Sequence, residues 1–200
     1  IVLGSLLVIH CCGPGNLSTL LLVATAGKTG AGPAVQPDLE RLMMSGHSRG
    51  GKVAFAMALG LLSGSRHHTK YLGLFTLDPV DGTGLGPSNP PIVTRDDVEI
   101  AFPVFILGTG YGGQGSLVPM TLPCAPTCCD YKAYAKATHA PVVYDLVASD
   151  YGHLDFLDDS TFWTYLICKS GDSKEPVRNA SAALLLAFFE SILTTSPKPL

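Results

Sequence analysis

The chain has 200 residues, of which 46% are hydrophobic and only 14% charged, with a formal net charge of −3. That length suits one domain around one core, and the sparse charge points to a large buried sheet, an apolar ligand surface, or both. The charge balance excludes the basic footprint that nucleic acid or an anionic membrane would require. In chain order, residues 1–9 and 17–24 are apolar runs too short to cross a bilayer, and they read as two short strands separated by Gly13-Pro14-Gly15. Neither the basic start nor the cleavage site of a signal peptide is evident. Residues 27–37 read as a Gly/Pro/Thr-rich loop, and residues 39–62 as strand, sharp turn and helix. A polar turn with His67 and His68 follows, then a strand over 71–77 that ends at Asp78-Pro79. Residues 81–91 read as a surface loop, 102–107 as a strand running into a Gly-rich stretch, and 117–127 as a loop rich in Pro and Cys. A last strand over 142–148 leads to Ser149-Asp150-Tyr151-Gly152-His153, and a helix over 180–193 closes the chain. Strands alternating with helices or long loops predict a mostly parallel α/β sheet with both faces covered.

The stretch Gly46-His47-Ser48-Arg49-Gly50 carries the chemistry. It fits G-x-S-x-G between an apolar strand and a small amphipathic helix, the context of the nucleophile elbow of an α/β-hydrolase. A turn this tight needs small flanking residues, which Gly46 and Gly50 supply. Ser48 is then held at the tip, and the backbone N–H of Arg49 at the helix start is placed to steady an oxyanion.

A serine hydroxyl needs a base to take its proton and an acid to orient that base. In this fold the chain order is Ser, acid, His, and active groups lie at the carboxyl ends of the strands. That filter removes His10 and His47, which precede or belong to the elbow. It also removes His67, His68 and His139, which fall at the opposite sheet edge. His153, in the exit loop of the last strand, remains. The strand before it ends in Gly108-Thr109-Gly110 and offers no acid. The strand one earlier ends in Asp78, which is the expected acid, with Asp81 as runner-up. Asp150, Asp155, Asp158 and Asp159 crowd His153 in sequence and read as caps or solvating groups of its loop.

Cysteines stand at 11, 12, 124, 128, 129 and 168. Their spacing does not complete a zinc set, so no metal is expected. A disulfide involving Cys168 is open, and buried free thiols are slightly preferred as the ordinary state of such cysteines. The glycines after Leu107 lack the Lys-Ser/Thr pair and following helix of a phosphate loop.

Together, Ser-Gly-His-Ser-Arg-Gly-Gly-Lys at 45–52, Leu-Asp-Pro-Val-Asp-Gly at 77–82, Cys-Ala-Pro at 124–126, Asp-Tyr-Gly-His-Leu-Asp-Phe-Leu-Asp-Asp at 150–159 and Cys-Lys-Ser-Gly at 168–171 resemble plant chlorophyllase. The resemblance implies a single α/β-hydrolase domain over 1–200, with 35–193 chlorophyllase-like and 1–34 a divergent or incomplete front end. It implies hydrolysis of the ester joining the chlorin propionate to phytol, in the chloroplast and during chlorophyll breakdown. It places the serine, aspartate and histidine of the family on Ser48, Asp78 and His153, with no cofactor. Chlorophyll or a similar apolar ester is the implied partner. Peripheral membrane association fits the resemblance; a transmembrane segment is not expected. Two features depart from the family pattern. His10-Cys11-Cys12-Gly13 is at best a degraded form of the loop that gives the second oxyanion donor. Thr127-Cys128-Cys129-Asp130 replaces a longer segment with an Asn-His pair. The front end therefore reads as truncated, and two other readings stay open: a general lipase or esterase of the same fold, and a catalytically weak fragment that only binds pigment.

Overall fold

The computed structural model describes residues 4–9, 20–23, 38–61, 71–83, 86–93, 97–115, 122–157 and 168–195. Its main sheet contains β1 (Gly4–Ile9), β2 (Leu20–Val23), β3 (Asp38–His47), β4 (Tyr71–Leu77), β8 (Val104–Thr109) and β10 (Val143–Ala148), in the order β10-β8-β4-β3-β1-β2. Every neighbouring pair is parallel except β1 with β2. The small strands β5 (Gly82–Thr83), β6 (Gly86–Pro87), β7 (Val98–Glu99) and β9 (Thr138–His139) form two minor pairs between the main elements. Three helices are described: α1 (Arg49–Ala58), α2 (Tyr131–Ala137) and α3 (Glu175–Thr195).

Parallel strands buried on both sides read as continuous apolar runs, and β4 and β8 do. Along them the side chains alternate. Met44, Leu74, Val104 and Ile106 pack with Ala54 and Phe55 of α1 and with Tyr131 and Tyr134 of α2. Met43, Phe75, Phe105 and Leu107 face the other way and pack with Phe188, Phe189 and Ile192 of α3. Phe75 stacks on Phe105 at 4.7 Å between ring centres, and Phe188 meets Phe105 edge-on at 5.6 Å. Each such fully buried side chain contributes about 1.5–3 kcal/mol by leaving water. These two layers hold the sheet rigid beneath the loops that matter. This is the α/β-hydrolase arrangement, with helices on both faces.

Register puts all the strand exits together. His47 lies opposite Leu77, Leu77 opposite Leu107, and Thr109 opposite Ala148. The loops leaving β3, β4, β8 and β10 therefore emerge along one edge of the sheet.

Several expectations need correction. The loop expected over 81–91 reaches the surface at Pro87, Asn89 and Pro90, but its base is buried, with Asp81 fully enclosed. A helix missing from the sequence reading, α2, starts at Tyr131, just after Asp130, whose side chain caps it by accepting from Lys132 N–H at 3.0 Å. The last helix begins at Glu175, a turn before its first apolar run. By length and composition α3 could cross a membrane, with a mean hydropathy of 1.3 over Glu175–Thr194, yet one side of it is packed on the sheet. The preference for free thiols fails at two positions: Cys124 and Cys168 are bridged, with Cα atoms 5.7 Å apart, inside the range a disulfide tolerates. The sulfurs of Cys128 and Cys129 also lie within bonding reach. His10, Cys11, Cys12, His67, His68, Asp158 and Asp159, and the loop expected over 27–37, lie outside the described residues.

Candidate active site

β3 ends at His47 and α1 begins at Arg49, so Ser48 alone makes the turn, at φ 58° and ψ −126°. A non-glycine residue there is strained and must be held by its surroundings. Four backbone hydrogen bonds hold it: Ser48 N–H donates to Leu77 O at 3.0 Å, while Ser48 O accepts from Gly51 N–H at 3.0 Å, Val80 N–H at 3.2 Å and Lys52 N–H at 3.3 Å. A Cβ on Gly46 would collide with the backbone of Gly50 and Gly51, so the close passage of strand and helix requires glycine. As the first helical residue, Arg49 has an N–H with no acceptor inside the helix.

The structure brings Ser48, His153 and Asp78 into one hydrogen-bonded line. His153 Nε2 lies 2.8 Å from Ser48 Oγ, and Nδ1 lies 2.7 Å from Asp78 Oδ2. An ionised carboxylate can only accept. Nδ1 therefore carries the proton, and Nε2 presents its lone pair to the serine hydroxyl. Asp78 is fully buried and His153 is 4% exposed, which strengthens the ion–dipole contact by excluding water. Asp78 is itself held at φ 40°, with its N–H donating to Leu107 O at 2.6 Å.

His153 is fixed from two further sides. His47 Nε2–H donates to His153 O at 2.7 Å, and the two rings lie 4.8 Å apart. Phe156 meets His47 edge-on at 5.8 Å. Within the loop, Asp155 accepts from Gly152 N–H at 2.7 Å and Gly171 N–H at 2.8 Å, with Lys174 Nζ at 3.9 Å. Asp155 thus caps the loop that carries His153, as its place in the sequence suggests. Sequence reasoning set His47 aside as part of the elbow; only the structure shows it beneath the second histidine.

Asp81, the runner-up acid, does not reach His153. Its Oδ1 pairs with Lys52 Nζ at 2.7 Å, and its Oδ2 accepts from Ile92 N–H at 2.5 Å and Val93 N–H at 2.8 Å. Lys52 also donates to Ser88 O and Oγ at 2.9 and 2.8 Å. This network ties α1 to the loop leaving β4. Close by, burial pushes the Asp130 carboxyl above its ordinary 3.8 and the Tyr131 hydroxyl up to about 12, the negative field of Asp78 adding to both. Among the described residues, no three His, Cys, Asp or Glu side chains converge as a metal site needs.

The sequence of this site belongs to a described family. The family model for chlorophyllase matches residues 22–200. This chain is a member of the chlorophyllase family. It is 37% identical over 169 residues to chlorophyllase-2 of Arabidopsis thaliana, a match covering 80% of this chain and 52% of that protein. It is 36% identical over 155 residues to chlorophyllase-1 of the same plant, covering 72% of this chain and 47% of the relative. Chlorophyllase-1, chloroplastic, of Citrus unshiu is 31% identical over 166 residues, covering 78% and 46%. The chain spans about half the length of the curated relatives it matches. Among solved structures, the acylaminoacyl peptidase of Pyrococcus horikoshii aligns with a TM-score of 0.47 at 13% identity, covering 84% of this chain and 26% of that one.

Proposed function

We propose that the chain is a serine carboxylic-ester hydrolase of chlorophyllase type, cleaving the phytyl ester of chlorophyll to chlorophyllide and phytol. The observation that carries the reading is the unbroken line from Ser48 Oγ through His153 to the buried Asp78, built on a strained elbow in a chlorophyllase-family chain. Ser48 Oγ attacks the ester carbonyl as its proton passes to His153 Nε2. Asp78 steadies the imidazolium that forms and keeps the Nδ1 proton in place. The Arg49 N–H donates to the carbonyl oxygen as negative charge develops on it. The C–O bond to phytol then breaks, and the phytol oxygen takes the proton from His153. Water, deprotonated by the same imidazole, attacks the acyl-enzyme; the Ser48–acyl bond breaks as His153 returns the proton to Ser48 Oγ, and chlorophyllide leaves. The chemistry takes place at the substrate's ester, and the magnesium of chlorophyll belongs to the substrate. The names of the Citrus relatives place those proteins in the chloroplast, and the same location is proposed here.

The test is covalent labelling of the purified chain by a fluorophosphonate, followed by chlorophyll a and a short nitrophenyl ester as substrates. The expected result is labelling that disappears in Ser48→Ala, together with release of chlorophyllide. Labelling with turnover of the short ester alone would make the chain a general esterase. A folded chain that takes no label would overturn the catalytic reading.

A further inference from the structure

The exit of β8 is the strand end at which the sequence offers no acid, and it is occupied by Thr109, which is 3% exposed. Its Oγ1–H donates to Asp78 Oδ2 at 2.7 Å, and its N–H donates to Asp78 Oδ1 at 3.1 Å. One residue thus grips both oxygens of a carboxylate that comes from the neighbouring strand. Asp78 Oδ2 receives two donors, Thr109 Oγ1–H and His153 Nδ1–H, each at 2.7 Å.

We infer that Thr109 is the positioning residue for Asp78, fixing the plane of its carboxylate so that Oδ2 stays aimed at His153 Nδ1. The carboxylate's own side chain has two free torsions, and β4 alone cannot choose between their settings. Two donors on one rigid strand end can, because they define a line across the carboxylate. Register supplies the reach: Leu77 pairs with Leu107, so Asp78 and Thr109 leave adjacent strands nearly side by side. Gly112 closes the remaining space. A Cβ there would stand 2.6 Å from Thr109 Oγ1 and 2.8 Å from Asp78 Oδ2, closer than packed atoms allow. Glycine at 112 is therefore part of the same device, leaving the hydroxyl–carboxylate contact undisturbed and leaving no room for a side chain beside it.

Two substitutions separate this role from packing. Thr109→Val keeps the shape and removes the hydroxyl; Thr109→Ser keeps the hydroxyl and removes the methyl. Gly112→Ala presses on the same pair from outside. The inference rests on the catalytic reading of Ser48, His153 and Asp78, so two readouts are needed. The first is turnover, where Thr109→Val should lower kcat roughly 10- to 100-fold with KM nearly unchanged, since a charge-assisted hydrogen bond is lost, and Thr109→Ser should retain most of it. The second is the low-field ¹H NMR signal of the His153 Nδ1 proton, which needs no turnover and reports its hydrogen bond to Asp78 Oδ2. Freed on one side, the carboxylate spends less time against Nδ1–H. The signal should therefore broaden into the baseline or move upfield in Thr109→Val and Gly112→Ala, and stay in place in Thr109→Ser. An unchanged signal in Thr109→Val, or a Thr109→Ser chain as impaired as Thr109→Val, would overturn the role of Thr109. A wild-type chain that shows the signal but takes no fluorophosphonate would instead overturn the catalytic reading alone.

Discussion

Asp78 and Asp81 leave the same strand, are both fully buried and have the same chemistry, yet their neighbours give them different work. Asp78 faces one histidine and one threonine. Asp81 faces an ammonium and two backbone N–H groups. Sequence alone placed both near the site and ranked them by position; what separates them is the direction of each side chain, which only the folded loop fixes. Asp78→Asn should leave the chain folded but lower kcat by about 10³–10⁴-fold, because an amide can no longer hold the Nδ1 proton of His153 as an ion does. Asp81→Asn should do the reverse, stranding Lys52 without its counter-charge. That should cost about 3 kcal/mol of stability or somewhat more, with labelling of Ser48 retained in whatever fraction stays folded. Urea midpoints and fluorophosphonate labelling rates of the two variants check both statements together. A folded, inactive Asp81→Asn beside an active Asp78→Asn would exchange their roles. Thr109 and His47 went unrecognised as supports because a hydroxyl or a ring that acts through another residue leaves no spacing rule in a sequence.

Strands and helices were legible where periodicity was strong. Residues 71–77 match β4 residue for residue, and the elbow falls between β3 and α1 as its glycines require. The expected strand over 102–107 is shifted in the structure to Val104–Thr109, because Gly108 and Thr109 look like a turn until a neighbouring strand pairs with them. That shift matters, since it is what makes Thr109 a strand end. Helix α2 escaped notice because it has only seven residues, too few for a periodic pattern. Its signal is Asp130 as N-cap followed by Tyr131 and Tyr134 on one face. Asp130 also carries a cost. Burial raises its carboxyl above the ordinary 3.8, so the folded chain holds that proton more tightly than the unfolded chain does. Its contribution to stability is then greatest in acid and declines as pH rises from 3.8 through the raised value. Asn caps a helix as well as Asp and has no charge to desolvate. Asp130→Asn should therefore match or exceed the wild type by up to about 1 kcal/mol at pH 7, and the gain should vanish near pH 3. Urea unfolding at the two pH values measures it; a variant clearly less stable at pH 7 would mean that the carboxylate's charge at the helix start outweighs its burial.

At the scale of the molecule, the site depends on segments far apart in the chain meeting at one sheet edge. The sheet supplies Ser48, Asp78 and Thr109 from consecutive strands in register, but His153 rides on a loop beyond the outermost strand β10. That loop is tied down by Asp155 and by the segment at 168–171 that runs back along it, with Gly171 N–H bonded to Asp155. The Cys124–Cys168 bridge fastens the same segment to the stretch following β8, closing a loop across 44 residues that contains α2, β10 and His153. Cysteine spacing could not announce this pairing, because a link of this kind joins whatever the fold brings within reach. In the chain-entropy picture a loop of that size is worth about 4 kcal/mol, with about 2–4 kcal/mol common in practice. The double variant Cys124→Ser/Cys168→Ser should unfold at a correspondingly lower denaturant concentration than the oxidised chain and match the reduced wild type. Because the constrained loop carries the histidine while the elbow lies outside it, the expected order of loss is specific. On partial denaturation Ser48 labelling should fall before the far-UV circular dichroism of the sheet and helices changes, and it should fall earlier without the bridge. Equal midpoints for oxidised and reduced chains would show that this link constrains nothing and that Asp155 with its backbone donors is enough to hold His153 in place.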